Sequence, residues 1–260
     1  MGSSLSDTVW LSDKRLNLLL LLMEGPRNID QIKTSLNVTS RGMMPQIKKL
    51  KEKYLIVEEG DQYCLSTIGE LIVEKMLPLL NTIEMVNNDN AYLEEHDLSE
   101  LPPKLFRRLY ELGNYLLIEP DLNHTFEIPR EFTENLLKSK NIKSIISFYR
   151  PEYPDIYCEL MEHAESMSLI MTPPVFERMK QSCNSKMIRL IRAPHIHAYI
   201  FPENSRPPGL DTSERFTYIS FLDKNGRYDH KDIMSFDESA LKWGDELFDY
   251  YCSLCEKIEI

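Results

Sequence analysis

The stretch Thr39-Ser40-Arg41-Gly42-Met43-Met44-Pro45-Gln46-Ile47-Lys48-Lys49-Leu50-Lys51-Glu52-Lys53-Tyr54-Leu55-Ile56-Val57-Glu58-Glu59-Gly60-Asp61-Gln62-Tyr63-Cys64-Leu65 decides the fold of the N-terminal part. Thr39 and Ser40 are capping residues. Ile47, Leu50 and Tyr54 follow at three- and four-residue steps, so a helix with these three facing inward is expected. Arg41, Gln46, Lys48, Lys49 and Lys53 then lie mostly on the rest of its surface. Pro45 falls near the end of the first turn, where a missing N–H costs less than deeper in a helix. Leu55-Ile56-Val57 and Tyr63-Cys64-Leu65 flank Glu59-Gly60-Asp61, which reads as a β-hairpin.

Upstream, Ser12 can cap a leucine-rich helix over about 12 to 24, stopped by Gly25-Pro26. Asn28 can cap a two-turn amphipathic helix carrying Ile29, Ile32 and Leu36. Three helices, a tight connection between the second and third, and then a hairpin is the order of a winged helix-turn-helix, whose third helix enters the DNA major groove. Charge agrees with that order. The chain of 260 residues has a net charge of −11, which by itself speaks against a nucleic-acid partner. Residues 12 to 53, however, hold nine basic and four acidic side chains, whereas residues 81 to 260 hold 20 basic and 31 acidic.

The expected DNA contacts are therefore Thr39, Ser40, Arg41, Gln46, Lys48, Lys49 and Lys53. Arg41 and Gln46 suit base edges, the lysines suit phosphates, and Thr39 and Ser40 sit at the helix N-terminus where phosphate binds. The competing reading is a solvated helix face. The hairpin tip, Glu58-Glu59-Gly60-Asp61, is acidic and should stay clear of the duplex.

Thr67-Ile68-Gly69-Glu70 has a capping-box pattern. Ile72, Met76, Leu79, Ile83 and Val86 then repeat at alternating steps of four and three, as in a coiled-coil seam. A homodimer helix and packing on its own domain both fit this pattern, and Asn87 to Asn90 is expected to end the helix. The expected organisation is α+β with two domains: a winged helix-turn-helix over 1–66, a linking or dimerisation helix over 67–97, and an α/β domain with a mixed sheet over 98–260. In the last segment, strands are expected at Tyr115–Ile118, Ser144–Phe148, Met167–Met171, Met187–Ile191, Ile196–Phe201 and Phe216–Leu222. Helices are expected at Pro103–Leu112, Pro129–Leu137, Pro154–Ala164 and Pro174–Lys180. Asn225-Gly226 marks a tight hairpin. Asp237 is expected to cap a final helix with Leu241, Phe248, Tyr251, Cys255 and Ile258 on one face.

The nine glycines allow no G-x-G-x-x-G, no G-x-x-x-x-G-K and no G-x-S-x-G, which removes phosphate-loop and nucleophile-elbow chemistry. No histidine has a lysine two residues on, as phospholipase-type folds require. A small-molecule effector is expected instead at the strand ends of the α/β domain, nominating Phe148, Tyr149, Arg150, Thr172, His195 and His197. Arg150 would suit an anion. His195 and His197 share a strand face but lack a completing ligand set, so neither a metal nor a cofactor is expected. The five cysteines, at scattered spacings, read as thiols. Cys252 and Cys255 form a C-x-x-C without a second pair, which leaves core packing or a redox role. The longest apolar run, Leu18–Met23, is too short to span a membrane, so a cytoplasmic protein is expected.

Several segments also carry a family likeness: Gln46-Ile47-Lys48-Lys49-Leu50, His96-Asp97-Leu98-Ser99, Tyr153-Pro154 and Trp243-Gly244-Asp245-Glu246-Leu247-Phe248. Over nearly the whole chain they resemble archaeal, chiefly methanogen, transcriptional regulators with an ArsR-like winged helix followed by a filamentation-regulator-type sensory domain. The resemblance implies a DNA-binding dimer that controls genes of methanogenic metabolism, with no cofactor. Two other classes stay open on the residues alone: an enzyme whose α/β domain is targeted by a winged helix, and a winged-helix module that binds an acidic protein.

Overall fold

The computed structural model describes residues 4–120, 123–124, 127–202 and 206–258, without the side chains of 183 and 184. The chain divides into two compact units, Met1–Glu84 and Met85–Ile260.

The first unit begins with α1 (Leu5–Trp10), which the sequence pattern did not reveal. Ser4 closes a capping box on it, its Oγ accepting from Asp7 N at 3.0 Å while Ser4 N donates to Asp7 Oδ2 at 3.2 Å. Then come α2 (Asp13–Met23), β1 (Arg27–Asn28), α3 (Ile29–Leu36), α4 (Ser40–Glu52), β2 (Ile56–Glu59) and β3 (Gln62–Leu65), followed by α5 (Thr67–Glu95), which runs past the division between the units. The expected first helix is thus α2, although Ser12 makes no side-chain cap bond. Asn28 caps α3 as expected, accepting from Asp30 N and Gln31 N while Gln31 Oε1 takes the Asn28 N–H.

The hairpin β2–β3 is antiparallel, with Ile56 opposite Leu65 and Glu59 opposite Gln62, and β1 adds to its other edge in the order β1-β3-β2. Leu18, Leu19, Ile32, Met43, Leu50, Leu55 and Val73 are wholly buried in one core. Each such side chain removed from water contributes roughly 2 kcal/mol before entropy is charged.

Three local expectations need correction. Tyr54 does not face inward. It follows α4 at φ +57° and is 74% exposed, because α4 ends at Glu52 and the chain must turn sharply for Leu55 to reach the core. Ser66 rather than Thr67 caps α5, its Oγ accepting from Gly69 N at 3.0 Å. Asn87–Asn90 does not end α5 as expected: Asp89 alone is non-helical (φ −131°, ψ 37°), which kinks the element, and it runs on to Glu95. Of the positions repeating at alternating steps of four and three, Met76 is buried and Ile72 half-buried, whereas Leu79, Ile83 and Val86 are exposed.

The second unit holds α6 (Pro103–Phe106), a 3-10 turn (Leu109–Leu112), β4 (Tyr115–Ile118), α7 (Arg130–Lys138), β5 (Asn141–Ile146), α8 (Tyr153–Met161), β6 (Ser166–Met171), α9 (Pro173–Arg192), β7 (Ile196–Ile200), β8 (Gly209–Ser213), β9 (Thr217–Ser220), β10 (Asp232–Ser235), α10 (Glu238–Cys252) and β11 (Glu256–Lys257). The strands make one eight-stranded sheet ordered β11-β7-β6-β5-β8-β9-β10-β4. The pairs β5–β6 and β6–β7 are parallel and the others antiparallel, so the sheet is mixed as expected.

One face carries α7, α8 and α9 over Ile142, Met167, Leu169 and Met171. The other carries α10, α6 and the 3-10 turn over Ile145, Ile170, Leu210 and Ile219. Adjacent residues on β5 and β6 enter opposite cores because side chains alternate along a strand. Trp243 is fully buried, and its indole N–H donates to Leu105 O at 3.0 Å. Gly244 allows α10 to approach the sheet, since a Cβ there would lie 2.8 Å from the hydroxyls of both Thr212 and Thr217.

Met187–Ile191 is not a strand. It forms the last turns of α9, where Met187 and Leu190 face the core and Arg189 points outward, a helical rather than alternating pattern. The expected Pro174–Lys180 helix is the start of this same element. Strands β8 and β10 were not foreseen, because Asp211, Thr212, Asp232 and Ser235 are polar yet buried. The core face of α10 is Ala240, Trp243, Leu247, Phe248 and Tyr251. Cys255 and Ile258 lie beyond its end, and Asp237 accepts from Asn114 N at 2.8 Å instead of capping the helix through its side chain. No helix among the described residues is long and apolar enough to cross a membrane.

Candidate nucleic-acid interface

Helix α4 is fixed by its N-cap and its buried stripe. Thr39 Oγ1 accepts from Gly42 N at 3.2 Å, and Met43, Ile47 and Leu50 enter the core. That leaves Arg41, Met44, Pro45, Lys48, Lys49 and Lys51 exposed and Lys53 half-exposed. Pro45 is the sixth residue of the helix, deeper than the first turn. Its missing N–H removes the helical bond that the Arg41 carbonyl would have accepted. Thr39 is exposed and Ser40 half-buried at the positive end of the helix dipole.

Ion pairing sorts the cations. Lys51 is bonded to Glu58 of the hairpin, and Lys48 lies 4.0 Å from Glu52. Among the described residues Arg41, Lys49 and Lys53 have no carboxylate partner, so no internal contact must break for them to meet a phosphate. The hairpin tip exposes Glu58, Glu59 and Asp61, with Gly60 at φ +66° making the turn.

The structure alters the role of Gln46. It is half-buried, and its Oε1 accepts from Arg15 Nη1 at 2.8 Å. Arg15 is itself buried, donating also to Asp7 O at 3.2 Å and to Thr8 O. Gln46 thus clamps α4 onto α1 and α2, and base reading by that amide would require the clamp to open. Sequence spacing could not reveal this, because the partner lies 31 residues away. Lys14 is a further cation that sequence reasoning passed over. Its Nζ lies 3.4 Å from the position a Cβ would take at Gly42, over the first turn of α4.

In the second unit, the structure brings Phe148 and Thr172 together in one cleft at the C-terminal ends of β5 and β6. Arg150 stands behind it. Its Nη2 donates to Tyr228 Oη at 2.6 Å, and Tyr228 Oη donates to Asp232 Oδ2 at 2.7 Å. Phe148 and Tyr228 stack at 4.1 Å and 16°. Burial raises the carboxyl of Asp232, and it pushes that of Asp211 up to about 7.

Tyr149 lies instead under Arg178, 5.5 Å from its guanidinium. His195 and His197 do not join the cleft. His195 precedes β7 with its Nε2 3.1 Å from Met161 O, and His197 is exposed near the start of that strand. Parallel pairing puts the start of β7 beside the start of β6, at the opposite end of the sheet from Thr172. No cluster of three metal-ligating side chains occurs among the described residues. Cys64, Cys252 and Cys255 are unpaired thiols, and burial pushes Cys255 up to about 12, so it is a protonated donor to Tyr251 O at 3.1 Å. The side chain of Cys183 lies outside the described residues.

Comparison with known proteins adds independent findings. Residues 9–84 match the family model of the methanogenesis regulatory protein FilR1, N-terminal domain, and residues 125–254 match its middle domain. The methanogenesis regulatory protein FilR1 of Methanothrix harundinacea is 22% identical over 95% of this chain and 56% of its own length. The HTH-type transcriptional activator ArnR1 of Sulfolobus acidocaldarius is 23% identical over 66% of this chain and 66% of its own length. The chain thus spans about half the length of the first of these relatives. Among solved structures, TrmBL2, described as an archaeal chromatin protein with a novel mode of DNA binding, aligns over 98% of this chain and all of its own, with 13% identity and a TM-score of 0.44. Nuc, a phospholipase D family member from Salmonella typhimurium, covers 49% of this chain and 88% of its own at 8% identity and a TM-score of 0.36. With the middle-domain model alone matching half of its residues, the chain belongs to the methanogenesis regulatory protein FilR1 family.

Proposed function

We propose that this chain is a DNA-binding transcriptional regulator, not an enzyme. Its first unit is an ArsR-like winged helix-turn-helix that reads double-stranded DNA through α4, and its second unit is a sensory domain. It acts in the cytoplasm on genes of methanogenic metabolism. The observation that carries this reading is the set of cations without carboxylate partners among the described residues, Arg41 and Lys49 exposed on α4 and Lys53 half-exposed at its C-cap, directly before the β2–β3 hairpin, in a chain of net charge −11. The names of both relatives describe regulators, which supports it further.

The regulator works as a homodimer. Helices α1 and α5 form an apolar cleft of about 400 Å³ lined by Leu5, Val9, Trp10, Leu71, Met76 and Leu79. Leu5, Trp10, Leu71 and Leu79 are each more than 40% exposed, a surface that a second copy would cover. Two α4 helices related by a two-fold axis would then read half-sites one helical turn, or a multiple, apart.

Mobility shifts on duplexes from the chain's own upstream region, run over a salt series, test the reading. Phosphate contacts make affinity fall steeply with salt, with a log–log slope of about −0.9 per phosphate neutralised. Replacing Lys48 and Lys49 by Ala should weaken binding to every sequence, whereas Arg41→Ala should also relax sequence preference. Unchanged binding in all three variants removes α4 from the interface, and no binding at low salt overturns the reading. A monomer in light scattering at micromolar concentration overturns the dimer.

A further inference from the structure

The second unit contains an open cleft of about 860 Å³ where β5, β6 and β7 end, lined by Ser147, Phe148, Thr172, Pro202, Arg206 and Tyr228 among others. Its polar groups are unspent. Thr172 is 8% exposed and precedes α9, yet its hydroxyl makes no capping bond and has no hydrogen-bond partner among the described residues. Ser147 Oγ is buried and equally without a partner among them. Leaving the buried Ser147 hydroxyl unpaired costs free energy that a ligand able to bond it would restore, and the Thr172 hydroxyl is a second group free to bond a ligand.

The charges indicate which ligand. Arg206 is exposed beside the cleft and has no carboxylate partner among the described residues. Its guanidinium packs against Gly226, which has φ +74° and where any side chain would collide with it. Glu177, also in the lining, lies 3.2 Å from Lys180, which offsets its charge. Arg150 and Asp232 offset one another behind Tyr228. Helix α9, 20 residues long, directs the positive end of its dipole at the same cleft through Pro173 and Pro174, whose rings add apolar surface. The stacked pair Phe148–Tyr228, with Leu222 and Pro207, supplies the rest of the apolar wall.

One wall of the cleft has a second task. Leu222, Gly226 and Tyr228 belong to the loop between β9 and β10, and the same loop holds the segment where α5 ends. Asp97 N donates to Leu222 O at 2.8 Å and Lys224 N to Glu95 O at 3.2 Å. His96 Nε2 lies 3.2 Å from Asp229 Oδ1, and Lys231 Nζ lies 3.2 Å from Glu95. A ligand that moves this loop therefore acts on the last turns of α5, which are joined to the rest of that element through the kink at Asp89.

We propose that the cleft binds a small organic anion with a planar apolar body. The anionic group is held by Arg206, Ser147 and Thr172, and occupancy is passed through residues 222–231 to the end of α5. The binding half stands on the cleft alone, and the transmission half rests on the regulatory reading above.

Calorimetric titration of the full chain tests it, with benzoate and phenyl phosphate as probes, benzyl alcohol as the neutral counterpart and inorganic phosphate as the bare headgroup. Saturable binding of one aromatic anion, with benzyl alcohol and inorganic phosphate both much weaker, is expected, and the stronger probe identifies the headgroup as carboxylate or phosphate. Loss of a charge-assisted contact in Arg206→Met should weaken that probe about tenfold or more, and Thr172→Val severalfold. Both variants should keep the native melting temperature, since neither side chain holds the fold. Equal binding of benzyl alcohol, an unchanged Kd in Arg206→Met, or no binding at millimolar probe overturns the site. At saturating probe, duplex affinity should shift, and Lys231→Met should reduce that shift while leaving the probe Kd unchanged. Probe binding without any shift overturns the transmission alone, and probe binding by a chain that binds no duplex overturns the regulatory reading and leaves the site standing.

Discussion

The two units spend their positive charge differently. In the second, several cations are held by two carboxylates each: Lys143 lies 3.2 Å from Asp245 and 2.9 Å from Asp249, and Arg108 bonds both Glu111 and Glu246. The Arg108 and Lys104 contacts hold the Glu246 carboxyl down at about 2. In the first, Arg41 and Lys49 on α4 and Lys53 at its C-cap have no carboxylate partner among the described residues. A cation already paired must give up that partner before it meets a phosphate, whereas an unpaired one exchanges only water and counterions. Pairing, more than the count of charges, therefore separates a surface suited to nucleic acid from one that is merely soluble.

The comparison can be broken most strongly in the second unit. Gly244→Val places atoms against Thr212 and Thr217 and should destabilise that unit by about 3 kcal/mol or more, read as an early urea transition with the first unit's transition unchanged. Next comes pH. Asp211 is buried among Ser144, Tyr157, Arg150 and Asp232 and stays neutral in the fold up to about pH 7. An unfolded aspartate ionises above about 3.9, so between these values the folded chain holds the extra proton. Stability should then fall as pH rises, by up to about 1.4 kcal/mol per unit. Asp211→Asn should flatten that slope in denaturation curves taken from pH 4 to 8.

In the first unit, Arg15→Met leaves three acceptors without their donor and should cost about 2 kcal/mol, measured as a lower urea midpoint. It should also disturb DNA binding by freeing α4, although Arg15 itself is buried. Smaller still, Lys49→Ala should reduce the salt slope of DNA binding by about one. Lys143→Ala, a cation held by two carboxylates, should leave that slope where it was. Equal effects from Lys49 and Lys143 would end the distinction drawn from pairing.

The sequence made α3, α4 and the β2–β3 hairpin legible because their signals are local: a capping residue, an apolar stripe within a few turns, a glycine between two short β-prone runs. It also named Phe148 and Thr172, which the fold brings into one cleft because each lies within two residues of the end of an apolar strand. It failed where the deciding partner is far along the chain. Gln46 looks like a base reader until Arg15 is found against it, and His195 looks like a cleft residue until strand direction puts it at the other end of the sheet. Met187–Ile191 looked like a strand because a short apolar run carries no period of its own, and its place in α9 depends on the core beneath it.

Local periodicity, the uneven placement of charge and one turn signal, all properties of neighbouring residues, were thus enough to identify a basic helix on an acidic chain and a mixed sheet later in the sequence. Which cations stay unpaired, which hydroxyl lies buried without a partner, and which loop grips the end of α5 were decided only when segments distant along the chain were packed together. A hydrogen bond or an ion pair is a fact about distance in space, and sequence separation does not set that distance.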